Sequence, residues 1–239
     1  GIHATLFQKA EETAIENGVA VGFGFPNRTG YIIGKRLFNH KDLIKIEVLF
    51  KRLSWRSALK RRVKWRFLVN FAGWISSLAI RFFLAIGGKS VADVKYTWVS
   101  TFDESINLFW EKVKDQYTIM VKRDFIYLNW RYCRKPDNTY HILRAELDGS
   151  IVGLVIVKYE DYKDARIGFI MESLAIKDSP VIDSLLKRGL MFLSRNKVDF
   201  VLARVSSSDP VKRAFYKKGF SQKEDVWNSH IVYVRYSSH

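Results

Sequence analysis

A helix-strand-turn-helix pattern occurs twice in this chain, once at its start and once near its end, and this repeat constrains the fold more than any single residue. In the first copy an apolar-periodic run from Leu6 to Asn17 leads into the strand-like stretch Val19 to Phe25, the breaker Pro26-Asn27 and a short basic helix ending at Leu37-Phe38. In the second copy Leu185 to Asn196 leads into Phe200 to Val205, the breaker Ser208-Asp209-Pro210 and a short basic helix ending at Gly219-Phe220. Self-similarity of this length decides domain organisation before local motifs do. It predicts two related α/β modules. About eighty residues of strand-like sequence precede the second copy and none precedes the first, so the first module reads as an incomplete copy, followed by a complete one. The expected boundaries are 1–55 for the first module, 56–95 for a connector and 96–239 for the second.

The chain has 239 residues, 48% of them hydrophobic, which suffices for real cores. Its single cysteine, Cys133, excludes an internal disulfide and any multi-cysteine metal site, and suits a reducing compartment. The five histidines are scattered with no metal-ligand spacing, so no metal is expected. Net charge is +16. Much of it falls between Lys35 and Arg66, where twelve lysines and arginines face only Asp42 and Glu47. Such a block attracts phosphate in some form, whether tRNA, anionic headgroups or a nucleotide-like cofactor.

The stretch Phe67 to Ile86 is nearly all apolar, with its polar residues in one helical stripe. A bilayer span needs about this length, but Arg81 inside it is costly, and spanning separates two modules that belong together. A connecting helix between modules is the first reading. The second is an interfacial helix over 56–86, its apolar face at an anionic membrane surface. With no cleavable signal at the front, the location expected is cytoplasmic, and with the second reading peripheral on the inner face of the membrane.

After the connector, helical segments are expected at Phe102 to Asp115 and Phe125 to Tyr132. Strands are expected at Tyr140 to Leu147, Ile151 to Tyr159 and Ala165 to Ile176, the first two joined by Asp148-Gly149, a strong hairpin signal. Helix, strand, short helix and final strands at Gln222 to Val226 and Ser229 to Tyr236 complete a mixed α/β (α+β) sheet.

The strand-hairpin-strand run, the helix after it, and Arg213-Ala214-Phe215-Tyr216-Lys217-Lys218-Gly219-Phe220 resemble the second half of the GNAT superfamily of N-acyltransferases. The segment Arg123 to Tyr132, followed by Pro136, is similar to one in tandem acyltransferase-like proteins associated with bacterial surface polysaccharide synthesis. The resemblance implies a GNAT-like fold and transfer of an acyl group from acetyl-CoA or another acyl-CoA to an amine, with an amino sugar or cell-envelope precursor as acceptor. In that family a glycine-rich turn at a helix N-terminus cradles the pyrophosphate. Gly1-Ile2-His3-Ala4, before the helix from Leu6, resembles its tail and is the candidate cofactor-binding segment. Lys177-Asp178-Ser179-Pro180, at the same place in the second module, has no glycine; Ser179 reads as an N-cap and Pro180 as the first helical residue. The second module is therefore expected not to hold CoA in the usual way.

Such a reaction needs a base for the amine and a proton donor for the departing thiolate. Glu172, inside an apolar strand where members of the superfamily carry a carboxylate, is the candidate base, since burial raises a carboxyl pKa. The alternatives for it are a solvent-facing carboxylate or one paired with Arg204. The family's acid is a tyrosine four residues before Gly-Phe; Phe215 stands there, and Tyr216, one residue later and turned by about 100°, is the candidate acid. Two other classes stay open. One is a Fem-type aminoacyltransferase using charged tRNA. The other is a non-catalytic GNAT-like module that binds membrane or nucleic acid through the basic block.

Overall fold

A computed structural model describes residues 2–54, 93–136, 139–223 and 230–235. The basic and apolar connector over 56–86 lies outside these, apart from which no described helix is long and apolar enough to cross a membrane. The chain divides into two compact units, one of Gly1–Val48 with Glu224–His239 and one of Leu49–Lys223.

The first unit contains helix α1 (Ile2–Glu16), strand β1 (Val21–Gly24), helix α2 (Arg28–Leu37), most of strand β2 (Lys41–Arg52) and strand β9 (His230–Arg235). Asn27 caps α2, its side-chain oxygen accepting from Gly30 N at 2.8 Å. β9 pairs antiparallel with β1 from Val21↔Arg235 to Gly24↔Val232 and with β2 from Lys41↔Tyr233 to Lys45↔His230. The sequence reading puts β9 in the 96–239 module, yet its hydrogen bonds here are to strands of the first copy. Phe7 stacks on Phe38 at 4.0 Å between ring centroids, with His40 beside them. Burial pushes the His40 imidazole below its ordinary pKa.

The second unit holds the end of β2 and strand β3 (Lys95–Val99), helix α3 (Ser105–Val113) with a 3₁₀ turn at Lys114–Gln116, and helix α4 (Phe125–Leu128), which runs into a π-turn at Asn129–Cys133. Strands β4 (His141–Leu147), β5 (Ser150–Tyr162) and β6 (Ala165–Ala175), helix α5 (Val181–Arg195), strand β7 (Phe200–Ser206), helix α6 (Lys212–Lys217) and strand β8 (Ser221–Lys223) follow. The sheet order is β2-β7-β6-β5-β4-β3, with β8 also on β2. All its described registers are antiparallel except β6-β7, which α5 connects in parallel. The β4-β5 hairpin turns on Asp148 and Gly149, both at positive φ (49° and 74°), as a two-residue turn of matching twist requires.

Alternation along the strands divides the core in two. Leu143, Val155 and Val157 pack with Leu185, Leu186, Leu190 and Leu193 of α5. Ile142, Leu154 and Ile156 pack with Ile106 and Phe109 of α3 and Leu128 of α4. β5 is covered on both faces, which is why Ile151 to Val157 reads as an unbroken apolar run.

The repeat is reproduced in detail. α1 and α5 have 15 residues each, with Ile2 matching Val181 and Glu16 matching Arg195. Each ends alike: Gly18 N donates to Ile15 O and Val19 N to Ala14 O, as Lys197 N does to Ser194 O and Val198 N to Leu193 O. The Asn17 amide donates to Thr13 O as that of Asn196 does to Phe192 O. Gly18 and Lys197 both take the left-handed conformation, at φ 68° and 62°.

Candidate active site

β6 and β7 pair over four positions only, Ile167↔Phe200 to Ile170↔Ala203. Beyond them β6 continues on β5 alone, and a cleft of about 160 Å³ opens toward Arg204, Val205 and Ser206 of β7. Tyr117, Arg123, Glu172 and Asp209 line it together with apolar Ile119, Met120, Met171 and Phe215.

Glu172 faces this cleft because of one extra residue. β5 pairs Val157 with Ile170 but Ile156 with Glu172, so Met171 is bulged out of the ladder. Strict alternation puts residues 170, 172 and 174 on one face; the bulge turns the strand over. Ile170 packs on the α5 side, whereas Leu174 packs on the α3 side. Bulges re-aim side chains in this way.

Glu172 is 8% exposed. Its Oε1 accepts from Tyr132 Oη at 2.7 Å and lies 3.0 Å from Arg123 Nε. Its ion-pair partner is therefore Arg123, from the segment before α4; Arg204, which also lines the cleft, is exposed. The π-turn brings Tyr132 round to the carboxylate, and insertions of this type recur at functional sites. Asn129 fixes that turn: its amide oxygen accepts from Phe102 N at 3.1 Å, and its amide nitrogen donates to Phe102 O and Phe125 O. Arg123 lies over the Tyr127 ring at 4.9 Å and donates to Val121 O at 2.8 Å. Burial works against the Arg123 charge, but Glu172 more than offsets it and the pKa is raised.

Asp209 enters from the β7-α6 turn, its Oδ1 accepting from Val211 N at 3.0 Å. Burial pushes its pKa up to about 6; the Val211 N–H opposes this, the Glu172 charge adds to it and Lys212 opposes it. Tyr117 follows the 3₁₀ turn, its ring packed against the α3 core. Its pKa is also raised, first by burial and then by the charges of Asp209 and Glu172, with Arg123 opposing. Two carboxylates, the Arg123 guanidinium and the Tyr117 phenol thus line one small enclosure, with the Tyr132 phenol bonded to Glu172, an arrangement of the kind found at catalytic sites.

None of the other described sequence-predicted residues is among those lining the cleft. Tyr216 is 41% exposed and is not among the residues lining the cleft, whereas the adjacent Phe215, fully buried, is. Helix α1 begins at Ile2 rather than Leu6, so Ile2, His3 and Ala4 belong to its first turn instead of a loop before it; Gly1 lies outside the described residues. At α5, Pro180 takes the cap position, and Ser179 Oγ accepts from Val181 N at 3.2 Å, occupying one of the amides that a phosphate would need. Cys133 is a free thiol whose pKa burial raises, the setting of an inert cysteine. Among the described residues no cluster of His, Cys, Asp and Glu could hold a metal ion.

Sequence reasoning missed Tyr117, Arg123 and Asp209 as site residues. Asp209 carried a signal, as an Asp-Pro breaker just beyond a buried strand. Arg123 opened the segment that carries the family resemblance, without being singled out in it, and Tyr117 carried no signal.

No family model matches the sequence, and no curated protein matches it. Solved structures do. A GCN5-related N-acetyltransferase from Anabaena variabilis superposes with a TM-score of 0.58 at 13% identity, over 98% of this chain and 50% of its own. A probable N-acyltransferase from Enterococcus faecalis gives 0.62 at 10% identity, over 98% and 49%. A tandem GNAT protein from the clavulanic acid biosynthesis pathway gives 0.60 at 14% identity, over 100% and 71%. The chain thus spans about half the length of the first two proteins. Mixed sheet, parallel β6-β7 pair and diverging strands together have the GNAT fold of the GCN5-related N-acetyltransferases.

Proposed function

We propose that this chain is an N-acyltransferase that moves an acyl group from an acyl-CoA thioester to an amine, and that the reaction takes place in the β6-β7 cleft. The observation that carries the reading is the divergence of β6 and β7 beyond Ile170 and Ala203 over two carboxylates, Glu172 buried and Asp209 half-buried. Where the strands part, their inner edges offer ladder N–H and C=O groups to an extended, amide-bearing chain such as the pantetheine arm of CoA. The 160 Å³ enclosure suits a short acyl group rather than a long one.

The base is assigned to Asp209 rather than Glu172. A proton acceptor works best with a pKa near the operating pH, and Asp209 at about 6 meets this. Glu172 is already engaged by Arg123 and Tyr132, and serves as the fixed negative charge that attracts the acceptor's ammonium and helps to raise Asp209. The acceptor is a small-molecule amine; an amino sugar or cell-envelope precursor is the class suggested by the sequence resemblance.

Titration of acetyl-CoA, followed by a thiol-release assay with amines, tests this. Binding abolished by Ser173→Trp, which fills the cleft, and kept after deletion of Gly1 to His3 is the result expected. Binding lost only in the deletion moves the donor to the first turn of α1. Absence of binding by the native chain overturns the acyltransferase reading.

A further inference from the structure

Two guanidiniums line the β6-β7 cleft, and they are held very differently. Arg123 is largely buried, against Glu172 and over the Tyr127 ring. Arg204 is exposed and, among the described residues, has no carboxylate, hydrogen-bond or ring partner.

Strand geometry aims Arg204 at the cleft. Ile170 and Ala203 are the last paired residues of β6 and β7. With Met171 bulged out, Glu172 stands one ladder step beyond Ile170, and Arg204 stands one step beyond Ala203. Ala203 and Val205 pack on the α5 side, so alternation turns Arg204 to the opposite face, the one that Leu174 and Glu172 share. The two side chains thus stand level across the widening gap. Glu172 nevertheless takes Arg123 and Tyr132 as its partners. Nor is Arg204 among the charges that move Asp209, which are those of Glu172 and Lys212. Ser206, half-buried and two residues further on, adds a hydroxyl to the same wall.

The cleft therefore divides by charge. Glu172 and Asp209 attract the acceptor's ammonium, whereas Arg204 attracts an anion. A guanidinium fits carboxylate and phosphate oxygens two at a time. Resting on the acyltransferase reading above, we propose that the acceptor is an amine that also carries a carboxylate or phosphate, and that Arg204 binds this anion at the mouth of the cleft. Arg204 thereby sets specificity, favouring acceptors of mixed charge over amines that carry positive charge alone.

The test uses the full chain with acetyl-CoA and two pairs of amines that differ only in an anion. Lysine and cadaverine differ by a carboxylate, and glucosamine 6-phosphate and glucosamine by a phosphate. CoA release gives kcat/KM for each. The native chain is expected to prefer the anionic member of at least one pair by about tenfold, the low end of what hydrogen bonds to a charged group supply, because Arg204 is exposed. The pair that shows the preference identifies the anion. Rising salt is expected to shrink the ratio. Arg204→Gln is expected to bring it close to one, through KM more than kcat, and Arg204→Glu to reverse it. Arg204→Lys, which keeps the charge without the fork, is expected to retain part of it. No preference for either anion in the native chain, or a preference that survives Arg204→Gln, overturns the role of Arg204 and leaves the acyltransferase reading standing. Acetyl-CoA binding without turnover of any of the four amines overturns this acceptor class alone, and no binding of acetyl-CoA overturns both readings.

Discussion

Arg123 Nε and Glu172 Oε1 stand 3.0 Å apart in a site where both side chains are largely buried, and the same carboxylate oxygen accepts from Tyr132. Buried pairs of this kind are costly to break because one charge is left behind. Arg123→Met is expected to lower stability by about 3–5 kcal/mol, read from denaturant melts. Adding Glu172→Gln to that variant is expected to recover most of the loss, and equal stability of the single and double variants overturns the pairing.

As the proposed base, Asp209 is expected to set the pH dependence. It accepts a proton only when ionised, so kcat/KM is expected to fall as pH drops through about 6. Asp209→Asn is expected to abolish that limb together with at least a hundredfold of rate. An unchanged acid limb in the variant removes Asp209 from the base role.

Stability carries the opposite sign at the same residue. A carboxyl with a folded pKa near 6 and an unfolded one near 3.8 binds its proton more tightly in the folded state. Its contribution to stability therefore declines as pH rises from about 4 to about 6. Asp209→Asn, which can keep the bond from Val211 N, is expected to be more stable than the native chain at pH 7 by up to about 3 kcal/mol, and no more stable at pH 3.

Two glycines predict opposite outcomes. A Cβ on Gly153 would stand 2.8 Å from Leu185 Cδ1 and 3.1 Å from the Leu174 carbonyl oxygen, so Gly153→Ala is expected to cost about 1–3 kcal/mol. A Cβ on Gly189 meets Val157 Cγ1 at 3.4 Å, an ordinary contact. Gly189→Ala in the middle of α5 gains helix propensity worth roughly 1 kcal/mol and is expected to raise the melting temperature.

Lys197 holds a left-handed backbone at φ 62° where the repeat has Gly18. Lys197→Gly is expected to stabilise by about 1 kcal/mol and Gly18→Ala to destabilise by a similar amount, both measurable by thermal melts.

The sequence carried the repeated unit plainly, because its helix-end asparagines and the strands after them recur in the same order. It carried the β4-β5 hairpin through Asp148-Gly149. Strand β2 was missed although Ile44, Ile46 and Val48 alternate with Lys45 and Glu47; the abundance of lysine and arginine there drew attention to charge instead of period. The site was legible only at Glu172. Its surroundings depend on a one-residue bulge at Met171 that leaves no mark on the apolar pattern, and on Arg123 and Tyr132 from a distant segment, which meet Glu172 only through that bulge and the π-turn together. Tyr117 and Asp209 are ordinary loop residues until the divergence of β6 and β7 places them together, and local sequence does not encode where two parallel strands part.

The seat of β9 between β1 and β2 sets an order for synthesis. A chain emerging from the ribosome has every residue of Leu49–Lys223 before His230 appears, while β1, made before them, waits for that strand to form the β1-β9 ladder. The second unit can mature during translation, but the first is closed only after it. Until then β1 exposes hydrogen-bonding edges to other nascent chains, so removal of residues 224–239 is expected to leave a protease-resistant core that begins near Leu49.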